Sequence, residues 1–302
     1  MARTNDADLS PQELRVLVAV AETQGFSAAA EALGLTQSAV SHSVRGSERK
    51  VGAVLFDRGR SGARPTPSGE RAVAYARRVL RLLEVLGAET RGAARSGTAE
   101  GPLRIAAFRS AALHLLPPVL ERLRARHPGI EPRVRIVREV GRGTAGEVAD
   151  GKADIAIATL GGSTALPPGL IASGLLEDPY ALVHPAGHAT PRSLPLVDWA
   201  ENCGSYTREW WAAQDWIPDT TIEAEDDGAV LSLVSAGHGM AIMPALSRAG
   251  ATPSVTVTDL GPDRPTRQVG YVTTSDLAAA AVVRAFVREL RATVGARTWG
   301  PP

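Results

Sequence analysis

Between Thr36 and Arg45 the chain reads Thr-Gln-Ser-Ala-Val-Ser-His-Ser-Val-Arg. As a helix capped by Thr36, this stretch puts Val40 and Val44 on one face at i, i+4, and Gln37, Ser38, Ser41 and His42 on the other. Short hydroxyl, amide and imidazole groups on an exposed helix face suit the base edges of a DNA major groove. Thr36 and Arg45 complete this candidate surface. A second cluster follows in Leu55-Phe-Asp-Arg-Gly-Arg-Ser-Gly-Ala-Arg-Pro-Thr66, an apolar anchor leading into a glycine-rich, arginine-bearing hairpin. Such a segment is a wing. Its Arg58, Arg60 and Arg64 can neutralise phosphates or enter a minor groove; a solvated basic loop is the alternative, and the position directly after the reading helix favours the first.

The elements that must hold these groups are legible on either side. Ser10-Pro11 opens a helix over 11–24 carrying Leu14, Leu17, Val18 and Ala21. Ser27 can cap a short helix with Ala29, Ala30 and Leu33, and the turn falls at Gly34-Leu35, so two short helices meet across about three residues. One feature weakens the pattern. Gly46 costs about 1 kcal/mol relative to alanine inside a helix, and Ser47 replaces an apolar side chain on the Val40, Val44, Val51 stripe; either the helix ends early or the domain is weakly stable.

Thr66-Pro67 caps and opens a helix reaching about Ala94, on which Ala72, Tyr75, Val79, Leu82 and Leu86 repeat at 3, 4, 3, 4, with Val73, Ala76, Leu80 and Leu83 beside them. A helix apolar on more than one stripe needs a partner, and the same helix of a second copy supplies it. Arg91 to Glu100 is small, polar and glycine-rich, as a linker should be.

From Gly101 strands alternate with helices, the pattern of an α/β domain. Strands are expected at 103–108, 133–137, 154–158, 170–176, 180–184, 222–224, 239–244, 255–258 and 268–273, with another strand containing Cys203. Helices are expected at 111–126, near 145–150, and at 206–216, 227–236 and 275–293. In such sheets ligands sit outside the carboxyl ends of strands. Ser110 and Thr144 fall at the turns after the first two strands, and Tyr206 and Thr207 after the strand near Cys203; each can equally serve as a helix cap. Arg109 and Arg142 add positive charge at the same two turns, favouring an anionic ligand, whereas Asp226-Asp227 opposes them. The Trp210, Trp211 and Trp216 cluster is assigned to packing, and His238 to the surface.

Composition limits the alternatives. With 302 residues, 44% hydrophobic and 22% charged, the chain has an ordinary soluble balance and room for two or three domains. The net charge of +1 conceals a local excess, because residues 36–66 hold six Arg or Lys against two acids. A polar N-terminus and the lack of an apolar run of membrane length point to a cytoplasmic protein with no membrane partner. The single cysteine, Cys203, cannot form an intrachain disulfide. Six histidines scattered at 42, 114, 127, 184, 188 and 238 lack metal-ligand spacing. Neither Gly-x-Ser-x-Gly nor a phosphate-binding Gly-x-x-x-x-Gly-Lys loop occurs. No catalytic residue, metal or cofactor is therefore expected. An enzyme built on the α/β domain and a solute-binding sensor are the competing readings; the first lacks these motifs, and the second does not account for the N-terminal winged helix.

In order and spacing, Ser27-Ala-Ala-Ala-Glu-Ala-Leu-Gly-Leu-Thr-Gln-Ser-Ala-Val-Ser-His42, Leu55-Phe-Asp-Arg58 and Pro65-Thr-Pro-Ser-Gly69 resemble the DNA-binding signature of the LysR-type transcriptional regulators. Leu115-Leu-Pro117, Gly151-Lys-Ala-Asp-Ile-Ala-Ile157 and Ala236-Gly-His-Gly-Met-Ala-Ile-Met-Pro244 are similar to that family's effector domain. The resemblance implies an N-terminal all-α winged helix-turn-helix domain (1–66), a long dimerisation helix (67–95), a hinge linker (96–101), and a two-lobed α/β effector domain similar to periplasmic binding proteins (102–295). Lobe I is expected at about 102–176 and 244–295, and lobe II at 177–243. It further implies a dimer or tetramer on double-stranded DNA with an interrupted inverted repeat, a small-molecule effector between the lobes, and RNA polymerase as a partner if the protein activates. By position, Gln37, Ser38, Ser41 and His42 match the family's major-groove readers and Arg58 its wing contact. Ser38 and His42 stand where relatives often carry proline and arginine, so base preference does not transfer. Arg109, Ser110, Arg142, Thr144, Tyr206, Thr207 and Asp226 are the candidate effector residues.

Overall fold

The computed structural model describes residues 8–59, 62–94, 99–161, 166–202 and 205–296. The chain divides into two compact units, Met1–Arg91 with Ala149–Lys152, and Gly92–Val148 with Ala153–Pro302.

In the first unit, α1 (Pro11–Thr23) starts with a reciprocal capping box. The Ser10 amide donates to Glu13 Oε2 at 2.8 Å, and the Glu13 amide donates to Ser10 Oγ at 3.3 Å. Glu13 also accepts from Lys50 Nζ at 2.8 Å, which ties α1 to α3 (Gln37–Val51) and holds the Glu13 carboxyl below its usual range despite the opposing effect of burial. Between them α2 (Phe26–Leu33) begins at Gly25 with no side-chain cap. The expected Ser27 cap is therefore incorrect: the helix already includes Phe26, whose ring packs on the core. Gly34 takes φ +64° at the turn, a conformation that favours glycine. Val16, Leu17, Val20, Ala29, Val40, Val44, Leu55 and Phe56 form the core.

Helix α3 runs straight through Gly46, so the helix does not end early. Ser47 is fully buried, and its hydroxyl donates to the Ser43 carbonyl one turn back at 3.0 Å. The polar plug is hydrogen-bonded rather than orphaned. Strands β1 (Phe56–Gly59) and β2 (Gly62–Pro65) pair antiparallel as the wing. Glu48 Oε1 accepts from the amides of Leu55 and Phe56 at 2.9 and 3.3 Å, anchoring the wing to α3. Thr66 Oγ1 accepts from the Gly69 amide at 3.0 Å, capping α4 (Pro67–Ala94) as expected. At Gly69 a Cβ would overlap the Leu55 carbonyl, so only glycine lets α4 pack this closely.

The second unit contains β3 (Gly101–Ala107), α5 (Leu116–Arg126), β4 (Ile130–Ile136), α6 (Gly143–Ala149), β5 (Ile155–Leu160), β6 (Leu170–Pro185), β7 (Leu196–Trp199), α7 (Ser205–Ala212), β8 (Thr220–Ala224), α8 (Asp227–Ser235), β9 (Ala241–Pro244), α9 (Ala245–Arg248), β10 (Val255–Asp259), β11 (Thr266–Thr274), α10 (Ser275–Ala278) and α11 (Ala281–Gly295). The main sheet runs β10-β6-β11-β5-β3-β4, with β9 also on β6, while β7 and β8 pair in parallel. Strand β6 serves both lobes. Its first part pairs with β11 from Leu170 to Pro179, and its second pairs with β9 and β10 from Tyr180 to Pro185.

The separate strands expected at 170–176 and 180–184 are thus one. The strand continues because Asp178 is buried against its register partner Arg267, Nε to Oδ2 at 2.8 Å, and also accepts from the Leu246 amide at 2.9 Å. Strand β10, which falls in the stretch expected for lobe I, pairs with the second half of β6, from Val255↔Pro185 to Asp259↔Ala181. The strand expected around Cys203 is β7, ending at Trp199, and Cys203 lies outside the described residues. The C-terminal helix is two helices, broken where Ala280 is extended (φ −65°, ψ 137°).

Candidate nucleic-acid surface and inter-lobe cleft

Thr36 Oγ1 accepts from the Ala39 amide at 3.2 Å and shares a 3.0 Å hydrogen bond with Ser38 Oγ, so the first turn of α3 is fixed in place. Thr36, Gln37, Ser38, His42 and Arg45 are all exposed. Ser41 is not: only 9% of it is accessible. It follows Val40 and lies three residues before Val44, at the flank of the buried stripe, which corrects its placement on the outward face. The outer ridge is Ser38, His42, Arg45 and Arg49, at i, i+4, i+7 and i+11. Arg49 was missed, although this spacing identifies it. On the wing, Arg64 is exposed, whereas Arg60 and the side chain of Arg58 lie outside the described residues. The Ala63 amide donates to the Gln24 carbonyl at 2.9 Å, fixing β2 to the end of α1.

In the second unit, the turns after β3 and β4 face lobe II. Arg109 reaches across to Asp227 at 2.5 Å and to Asp226 Oδ2 at 3.6 Å. Asp226 also caps α8, accepting from the Gly228 and Ala229 amides at 2.8 and 2.9 Å. A Cβ at Gly228 would meet the Arg109 guanidinium, so a larger residue there would shift that side chain. A second bridge joins Arg138 Nε to Glu201 Oε1 at 3.0 Å. The charge expected to attract an anion at Arg109 is thus already met by lobe II carboxylates.

Ser110 is buried but does not cap a helix; its backbone is itself helical, and its Oγ accepts from the Ser247 hydroxyl at 3.3 Å. The turn that follows, Ala111–Leu115, is π-helical, a widened geometry that recurs at functional sites. It carries His114, whose pKa burial lowers, with Arg109 acting in the same direction and Asp227 against it.

Thr144 is wholly buried in the first turn of α6, and its Oγ1 has no hydrogen bond of good geometry, although the Glu139 carboxylate lies near it. Glu139 was not singled out from the sequence. Its Oε2 accepts from the Thr144 amide at 2.9 Å and its Oε1 from the Thr159 amide at 2.8 Å. Burial raises the Glu139 pKa, and these hydrogen bonds and the nearby Arg267 offset only part of that shift. A protein carboxylate therefore takes the donors that a ligand carboxylate would use at this turn.

Arg142 is exposed on the same turn. Thr207 is buried, with its hydroxyl donating to the Asn202 carbonyl at 3.3 Å, and the side chain of Tyr206 lies outside the described residues. Trp210, Trp211 and Trp216 pack against Tyr180, Leu182, Met240 and Ile242, as their assignment to the core of the smaller lobe required. His238 is exposed. Among the described residues, no group of three His, Cys, Asp or Glu is placed to hold a metal ion, and no helix is long and apolar enough to cross a membrane.

Two family models match the chain: the bacterial regulatory helix-turn-helix protein, lysR family, over residues 11–70, and the LysR substrate binding domain over residues 96–295. The probable HTH-type transcriptional regulator LrrA of Synechococcus elongatus is 35% identical over 293 residues, covering 93% of this chain and 96% of the relative. Among solved structures, ArgP from Mycobacterium tuberculosis superposes with a TM-score of 0.73 at 20% identity, covering 97% of this chain and 100% of that one. Full-length CbnR complexed with its target DNA gives 0.65 at 20% identity, covering 94% and 100%.

Proposed function

The chain belongs to the LysR family of transcriptional regulators, DNA-binding proteins with an effector-binding domain, and from that premise we propose how its residues divide the work. Thr36, Gln37, Ser38, His42 and Arg45, with Arg49 added, read one DNA half-site, and Arg58, Arg60 and Arg64 hold the flanking backbone. Ser41 supports the reading helix from its buried flank. The observation that carries this reading is the Ser38, His42, Arg45, Arg49 ridge, exposed opposite the buried Val40, Val44 and Ser47.

Residues 67–95 form the dimerisation helix. Tyr75, Val79, Leu82, Leu83 and Leu86 are exposed along it, whereas Val73 and Ala76 are spent on the domain's own packing. A two-fold pair sets recognition helices about 34 Å apart, or a multiple of it, matching an interrupted inverted repeat. Dimers or tetramers of the chain act in the cytoplasm without catalysis or a cofactor, and contact RNA polymerase where they activate.

Residues 102–295 bind a small organic anion between the lobes, near Arg109, Ser110, Arg142, Thr144, Tyr206, Thr207 and Asp226. Such a ligand competes with Asp226 and Asp227 for Arg109 and with Glu139 for the Thr144 and Thr159 amides. Moving Arg109 from the lobe II acids to the ligand changes what holds the lobes together, and that difference in contacts couples occupancy to lobe angle. Genome-wide mapping of binding sites tests the reading: discrete sites with paired half-sites support it and indicate the ligand through neighbouring genes, whereas uniform binding contradicts it.

A further inference from the structure

Helix α11 carries a basic ridge that the regulator's two sites do not use. Arg284, Arg288 and Arg291 are exposed at i, i+4 and i+7, and among the described residues no carboxylate pairs with any of the three. The one acid on α11, Glu289, is buried and engaged by Arg122 and Arg126 at 3.0 and 3.3 Å. Like charges one turn apart repel, so the ridge costs α11 stability unless something negative meets it.

The ridge borders a groove. A cavity of about 430 Å³ lies between α11 and β11, with Ala278, Val283 and Val287 as an apolar wall, Tyr271 and Thr273 contributed by the sheet, and the three arginines at its rim. A second cavity of about 690 Å³ shares Arg284 and Arg288 with it and is also lined by Arg126, His127 and the acid Glu100. Two of the cations are held in position. Arg291 Nη2 donates to Ser173 Oγ at 3.2 Å and to Tyr271 Oη at 3.1 Å, with its guanidinium 5.7 Å from the Tyr271 ring centroid. Arg288 Nη2 lies 3.3 Å from His127 Nε2.

A pocket of a few hundred Å³ with an apolar wall and a few ordered charges is the form of a small-molecule site. We propose that the α11–β11 groove is a second ligand site, separate from the inter-lobe cleft, for an amphipathic organic anion. Its apolar or aromatic body lies against Val283, Val287 and Tyr271, and its carboxylate or phosphate pairs with Arg284, Arg288 and Arg291. A guanidinium fork can meet two anionic oxygens of either group at once, and the held positions of Arg288 and Arg291 reduce the entropy lost on binding.

Calorimetric titration of the full-length chain with 2-naphthoate, and with 2-naphthylmethylammonium as the counter-probe, tests the site. Naphthoate is expected to bind and the ammonium probe to fail. Arg284→Glu with Arg291→Glu should weaken naphthoate at least tenfold. Val287→Trp, which fills the groove and keeps every charge, should do the same; a cleft substitution, Thr144→Ala, should leave groove binding unchanged. Absent naphthoate binding, equal binding of both probes, or binding lost with Thr144→Ala and kept in both groove variants overturns the proposal. A changed sedimentation coefficient in the groove variants with naphthoate affinity intact also overturns it, marking the face as a contact between copies.

Discussion

Arg109 and Asp227 stand 118 positions apart in the chain and meet at 2.5 Å across the cleft between the lobes. The Asp227 side chain is 6% exposed and that of Arg109 is 35% exposed, so removing the arginine strands a nearly buried carboxylate. Arg109→Leu is expected to lower the urea stability of the effector domain by about 1–2 kcal/mol, below the cost of breaking a fully buried pair because water still reaches the guanidinium. No change in the midpoint would mean that the pair holds nothing.

Glu139 makes stability depend on pH in the opposite sense from an ordinary paired carboxylate. Its folded pKa is raised by burial, so the folded state binds its proton more tightly than the unfolded state. The stabilisation is complete below the ordinary carboxylate range and is lost as pH rises through the raised folded value. Glu139→Gln should remove that slope. Melting temperatures measured from pH 4 upward test this, and identical slopes in both proteins would exclude Glu139 as the source.

At the Gly46-Ser47 step, neighbouring substitutions are expected to act with opposite signs. A Cβ at Gly46 comes no closer than 3.9 Å to its neighbours, so Gly46→Ala should stabilise α3 by up to about 1 kcal/mol. Ser47→Leu should destabilise by about 1–3 kcal/mol through overpacking, because Ser47 is fully buried. Hydrogen exchange of the α3 amides reports both signs; protection rising with Ser47→Leu would reverse the packing argument.

The exposed stripe on α4 predicts assembly. Leu82→Arg with Leu86→Glu places charge on two side chains that are 38% and 63% exposed, leaving the domain core untouched. Sedimentation velocity should show a shift toward monomer, accompanied by weaker binding to paired half-sites. An unchanged oligomer would place the interface elsewhere.

Local signals carried well from sequence to structure. Ser10, Thr36 and Thr66 cap the helices assigned to them, because capping depends on residues three positions away. What escaped depends on distant partners. Asp178 joins two expected strands into one because Arg267 neutralises it from another strand, and Glu139 gains its place only when β5 supplies the Thr159 amide. Strand β10 likewise carries no mark of which half of β6 it joins. Ser41 was misplaced for a smaller reason: one residue's rotation, about 100°, decides which side of a stripe it takes.

The proposed reading of DNA by the exposed ridge of α3 makes two substitutions distinguishable. Binding of the full-length protein to its genomic sites, measured by fluorescence anisotropy across a salt series, tests it most directly with His42→Ala and Arg64→Ala beside the native chain. His42→Ala is expected to relax discrimination at one base position by about 1–3 kcal/mol, while Arg64→Ala weakens all sequences alike and lowers the salt slope by about 1. Native specificity and salt slope in both variants would contradict it.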